Sequence, residues 1–125
     1  MKKILLIDDD IQFNGMIIMI LEDAGYEVRS AHNGVEGLKL FIQARPDLVI
    51  TDLYMPEKEG LETIMELRQA DQNIKILVMS GGCPHMNMSE MFDMAELFGA
   101  DAALPKPFAI GVFLQKVKEL VESES

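Results

Sequence analysis

Cysteine is almost absent from this chain. Cys83 stands alone among 125 residues, so no internal disulfide can form and nothing requires an oxidising compartment. Histidine is nearly as scarce: His32 and His85 sit alone, and no Cys/His cluster offers a metal site. Long apolar runs are missing too. The longest, "MIIMIL" at Met16 to Leu21, is far below the roughly 20 residues that a membrane span needs. The opening "MKKILLIDDD" has two lysines but only four apolar residues before three acids, too short for a secretory signal. Basic residues are outnumbered, 11 against 21 acidic, for a formal net charge of -10. That balance disfavours a surface built for nucleic-acid phosphates and suits solubility, although clustered acids can bind a cation. No linker, repeat or low-complexity segment breaks the chain. A cytoplasmic protein is the expectation.

What the chain does have is alternation. "KILLI" at residues 3–7 is a short apolar run of the kind a buried strand needs. Asp10 can then cap a helix reaching about Ala24, with Gly25 as its stop. "YEVRSA" at 26–31 alternates apolar and polar, like a half-wet strand, and 33–44 fits a helix ended before Pro46. Strand-like "DLVIT" at 47–51 precedes a helical pattern at 60–69, and "KILVMS" at 75–80 precedes another at 88–99. "ADAAL" at 100–104 and a closing helix at 109–122, with Phe113, Val117 and Leu120 on one side, complete the series.

Five strand–helix units predict an α/β domain over 1–122: a parallel sheet with helices on both faces, followed by a polar tail at 123–125. The alternating second strand, and the fifth with Pro105 beside it, read as edges. That suits the doubly wound order 2-1-3-4-5. The ten methionines are expected mostly in the core, filling irregular gaps.

In such sheets chemistry collects at the carboxyl ends of the central strands. After the first strand come Asp8, Asp9 and Asp10; after the third comes Asp52. Ser80 follows the fourth, with Gly81 and Gly82 beside it, and Lys106 follows the fifth between Pro105 and Pro107. Carboxylates brought together repel, and so take up protons or bind a cation, and hard oxygen ligands suit Mg²⁺. A cation and a lysine neutralise an incoming phosphoryl group, a hydroxyl donates to one of its oxygens, and an in-line carboxylate can be the nucleophile. Plainer readings stand beside these. Asp10 is read as a helix cap, and an isolated Asp8, Asp9, Ser80 or Lys106 would pass for a turn residue. His32 and His85 are read as surface residues and Cys83 as a loop thiol.

"LLIDDD", "ITDLYMPEKEG", "LVMSGG" and "LPKPF", in that order, resemble the receiver domain of two-component response regulators. The resemblance runs from Lys3 to about Val121 and implies a flavodoxin-like (βα)5 sandwich. It implies that Asp52 is the phosphoacceptor, and that Asp9, Asp52 and the backbone carbonyl of Tyr54 ligate Mg²⁺. Asp8 would act mostly through a water on the metal, and Ser80 and Lys106 would hold the phosphoryl oxygens. A cis Lys106–Pro107 bond is expected. The donor would be a phosphohistidine on a sensor kinase or phosphotransfer protein. The protein would catalyse only its own phosphorylation and dephosphorylation. Its output would be protein contact or onward transfer, since only a short polar tail follows the last helix.

The sequence also departs from the family pattern. Ala103, three before the lysine, replaces the usual aromatic, so the usual aromatic switch is not available. The segment 81–91 is longer than in many receivers and rich in Gly, Pro and Met, and is a candidate carrier of the signal. Glu59 stands where Asp is common.

On the first helix, Phe13, Met16, Ile17, Ile20 and Leu21 can face the core, leaving Ile11, Gly15 and Ile18 as a stripe for docking a kinase helix. Three other readings compete. A phosphate-independent interaction module would be expected to lose an acid or the lysine. A Mg²⁺-dependent phosphohydrolase wants a second acid two residues beyond its nucleophile, where this chain has Tyr54, a poor acid at neutral pH. A flavin fold wants glycines and amides, not acids, after the first strand.

Overall fold

The computed structural model describes residues 1–53, 60–81 and 87–122. Its strands are β1 (Lys3–Ile7), β2 (Glu27–Ala31), β3 (Leu48–Asp52), β4 (Lys75–Ser80) and β5 (Ala102–Pro105). Its helices are α1 (Ile11–Asp23), α2 (Gly34–Gln43), α3 (Gly60–Ala70), α4 (Met88–Phe98) and α5 (Ile110–Glu122). All strand pairs are parallel and the sheet order is β2-β1-β3-β4-β5, the doubly wound arrangement expected.

Strand periodicity sorts the core into two layers. Leu5, Ile7, Val49, Ile76 and Val78 point to one face, where Phe41 of α2, Ile64 and Leu67 of α3, and Met91 and Ala95 of α4 cover them. Ile4, Leu6, Leu48, Ile50, Leu77 and Met79 point to the other, against Ile17 and Leu21 of α1 and Phe113, Val117 and Val121 of α5. The central strands are buried on both sides, so they must be apolar throughout. β2 alternates in exposure and β5 is only partly covered, as edges tolerate.

Capping sets the helix starts. Asp10 accepts from Phe13 N at 3.0 Å, Asn33 from Glu36 N at 2.8 Å and Asn87 from Glu90 N at 2.8 Å. Asn33 is therefore the cap of α2, not its first turn. Gly25 and Gly99 follow their helices at positive φ, where glycine carries no Cβ penalty.

Several expectations shift. β3 begins at Leu48 because Asp47 turns back to β1, its carboxylate accepting from Lys3 N at 2.8 Å; the strand then ends on Asp52 itself. β5 begins at Ala102 because the Asp101 carboxylate is occupied by Ile76 N at 2.8 Å and by Arg68 at 3.1 Å. On α1, Met16 is 48% exposed, whereas Ile18 is partly buried against the α1/α5 core layer. The helix is thus rotated from the expected pose, and Ile11, Gly15 and Met19 form its outer stripe. On α5, Val121 is buried, whereas Leu120 is only partly buried against the same core layer. The methionines are not mainly core filler among the described residues: Met79 and Met91 are buried, while Met1, Met16, Met19 and Met65 are exposed. No helix of the described residues is long and apolar enough to cross a membrane.

Candidate functional site

Register brings the acids together. Ile7 of β1 lies beside Thr51 of β3, so Asp8 and Asp52 each sit one step further along neighbouring strands. Asp52 lies beside Met79, and Ser80 beside Pro105, which carries Ser80 and Lys106 to the same edge. Backbone bonds close that edge: Asp8 N to Ala31 O at 3.1 Å, Leu53 N to Met79 O at 3.2 Å and Lys106 N to Ser80 O at 2.9 Å.

Carboxylate oxygens of Asp8, Asp9 and Asp52 all lie within 4.8 Å of one another. Asp8 is wholly buried and Asp9 is exposed. Asp52 is 9% exposed, enough for its carboxylate to meet solvent at the edge. Asp10 N donates to Asp8 Oδ1 at 3.0 Å. Lys106 Nζ donates to Asp8 Oδ2 at 2.8 Å and to Asp52 Oδ2 at 3.3 Å, bridging the two acids. Burial works to lower the Lys106 pKa. The bond to Asp8 and the charges of Asp52 and Asp8 outweigh it, so the ammonium holds its proton above the ordinary lysine value.

Ser80 is fully buried at the end of β4, and beside it Gly81 faces open space. The Lys106–Pro107 bond is cis, as expected. Asp10 turns away to cap α1, and His32 is exposed. Tyr54, Glu59, Gly82, Cys83, His85 and the tail 123–125 lie outside the described residues.

Sequence reasoning missed three contributors. Phe13 does not simply join the core: Lys106 Nζ stands 4.0 Å from its ring centroid. Asn14, 3% exposed, donates from Nδ2 to the Asp8 carbonyl at 2.8 Å and so fixes the acidic turn. Both follow the Asp10 cap by one helical turn, which is the signal that could have placed them beside the site. Gly60 packs onto the Asp52–Leu53 backbone, where any Cβ would collide.

The strand ends carry acids where a nucleotide- or flavin-binding sheet of this topology has a glycine-rich phosphate cradle, so the site defines an acid-centred class of doubly wound domain. A model of the response regulator receiver domain matches residues 4–118, and the chain belongs to that family. Among curated proteins it is 35% identical over 95% of its length to the response regulator MprA of Mycobacterium ulcerans. It is 33% identical over 97% to the DNA-binding dual master transcriptional regulator RpaA of Synechocystis. It spans about half the length of each, 50% and 49%. Chemotaxis protein CheY4 of Vibrio cholerae superposes with TM-score 0.87 at 31% identity, covering 96% of this chain and 98% of that one. Response regulator TrrA of Thermotoga maritima, solved in complex with Mg²⁺-BeF, gives 0.84 at 34%, covering 96% and 99%.

Proposed function

We propose that this receiver accepts a phosphoryl group from a phosphohistidine of a sensor kinase or phosphotransfer protein onto Asp52. One observation carries the reading: Lys106 Nζ bridges Asp8 and Asp52 within a three-carboxylate cluster at the sheet edge. A carboxylate oxygen of Asp52 attacks phosphorus, the phosphorus–nitrogen bond of the donor breaks, and its electron pair returns to the imidazole. The product is an acyl phosphate, later lost to water. Lys106, always charged at neutral pH, meets one phosphoryl oxygen, and the Ser80 hydroxyl donates to another.

The donor set fits Mg²⁺. Three carboxylates against one ammonium leave a negative excess of hard oxygen ligands. Asp8, Asp9 and Asp52 would hold the ion, with the Tyr54 carbonyl. Its chemistry when bound is neutralisation of phosphoryl charge. The exposed stripe Ile11, Gly15 and Met19 beside the acids suits the donor's helix, with Met19 taking the place expected of Ile18. The working location would be the cytoplasm, and the output a changed set of protein contacts. Ala103, partly buried against the α2–α4 core layer, brings no aromatic ring to that readout. The net charge of -10 argues against nucleic acid as a partner of this segment.

Intact mass after incubation with acetyl phosphate tests the reading, with and without Mg²⁺, on wild type and Asp52→Asn. A Mg²⁺-dependent phosphoryl adduct on wild type alone is expected. No adduct on wild type, even with a competent kinase, would overturn it.

A further inference from the structure

We propose that Phe13 is a positioning residue for Lys106, holding the ammonium at the edge where Asp52 would be phosphorylated; the inference rests on that functional reading. A lysine ammonium is a compact charge on a flexible four-carbon stem, and two carboxylates on one side do not by themselves stop it swinging. A further contact comes from an aromatic ring. Lys106 Nζ lies 4.0 Å from the Phe13 ring centroid, within the range where a ring face attracts a cation. The lysine side chain is 18% exposed, so little water competes for it.

Phe13 is itself held from two directions. Its backbone N–H donates to the Asp10 carboxylate at 3.0 Å, which anchors the first turn of α1 next to the acids. Its ring meets Phe108 edge to face, at 6.1 Å and 74°. Phe108 in turn stacks on the wholly buried Phe113, at 5.1 Å and 13°. The lysine therefore rests on a column of rings that ends in the α1/α5 core layer. A leucine at 13 would fill space but present no negative ring face.

The role in transfer follows. Lys106 must serve two partners in turn, first the unphosphorylated carboxylates and then the phosphoryl oxygens. The ring is the contact that need not change between them.

The test compares Phe13→Leu and Phe13→Tyr, each with and without Lys106→Ala, by the rate of adduct formation from acetyl phosphate and Mg²⁺. NMR of the Lys106 ε-methylene, identified by its loss in Lys106→Ala, reports the contact itself. Phe13→Leu is expected to slow adduct formation by about three- to tenfold and to abolish the upfield ring-current shift of that methylene. Phe13→Tyr is expected to restore both, and Phe13→Leu to have no further effect once Lys106 is alanine. Wild-type rate and unchanged methylene shift in Phe13→Leu would overturn the inference. Equal slowing in the Lys106→Ala background would also overturn it, since the ring would then act through structure alone. If wild type forms no adduct, the functional reading fails and this inference falls with it; normal adduct formation in Phe13→Leu sinks this inference alone.

Discussion

Lys106 Nζ donates to Asp8 Oδ2 at 2.8 Å, joining residues 98 apart in the chain around a carboxylate with no exposed side-chain surface. A buried charge deprived of its partner is costly. Lys106→Met is therefore expected to lower stability by about 2–3 kcal/mol, the lysine's partial exposure reducing the full penalty. Adding Asp8→Asn removes the stranded charge and should recover much of that loss. Urea unfolding of the two single variants and the double variant measures the coupling. Additive losses would show that the pair does not contribute as a unit.

The same pair sets a pH window. Folding raises the Lys106 pKa above the ordinary 10.5, so the folded state holds that proton more tightly. The contribution is fully present below the unfolded value and is lost as pH rises through the folded one. The stability difference between wild type and Lys106→Met should stay level from pH 7 to about 10 and shrink above that. Urea midpoints across the alkaline range check this.

Asp9 is the exposed member of the acid cluster. Without a cation, its charge adds to a crowded negative site. Asp9→Asn should raise metal-free stability by about 0.5–1 kcal/mol and flatten the rise in Tm on adding Mg²⁺. Thermal scans over a Mg²⁺ series distinguish the two effects. A Tm response as steep as that of wild type would show that Asp9 does not bind the cation.

Gly60 and Gly37 are both places where a Cβ has no room, but their neighbours differ. At Gly60 the added carbon meets the Asp52 carbonyl, and Leu53 Cα at 2.5 Å, all backbone at the tip of β3. Gly60→Ala should cost about 2–3 kcal/mol and disturb Asp52. At Gly37 the collision is with the Ile7 side chain, at Cδ1 and at Cγ1, the latter 2.8 Å away. Gly37→Ala should be partly rescued by Ile7→Val, which removes Cδ1, whereas no side-chain trimming should rescue Gly60→Ala. Denaturant midpoints of the single and paired variants decide.

Much of this was legible along the chain. Apolar runs at 3–7 and 75–80 marked central strands, and the alternation at 26–31 marked an edge, because the number of faces a strand buries is written in its periodicity. Acids at strand ends marked the edge where three carboxylates cluster, and Asp10 was readable as a cap because capping is local. These are properties of neighbours along the chain and can be read before any fold is known. Other features were decided only by tertiary structure. Of two adjacent acids, Asp8 is buried and Asp9 is exposed, since successive side chains leave a strand end in opposite directions and only the incoming Lys106 and Asn14 define which side is inside. The rotation of α1 that partly buries Ile18 and exposes Met16 depends on the core layer it shares with α5, and the unbroken apolar run from Met16 to Leu21 carries little periodicity to specify that angle. The placement of the Phe13 ring over the Lys106 ammonium depends on sheet register and on Phe108 and Phe113, contributed by the far end of the chain. Periodicity encodes what each segment wants to bury; which groups then meet is set by the register of strands distant in sequence, and that exists only once the sheet has closed.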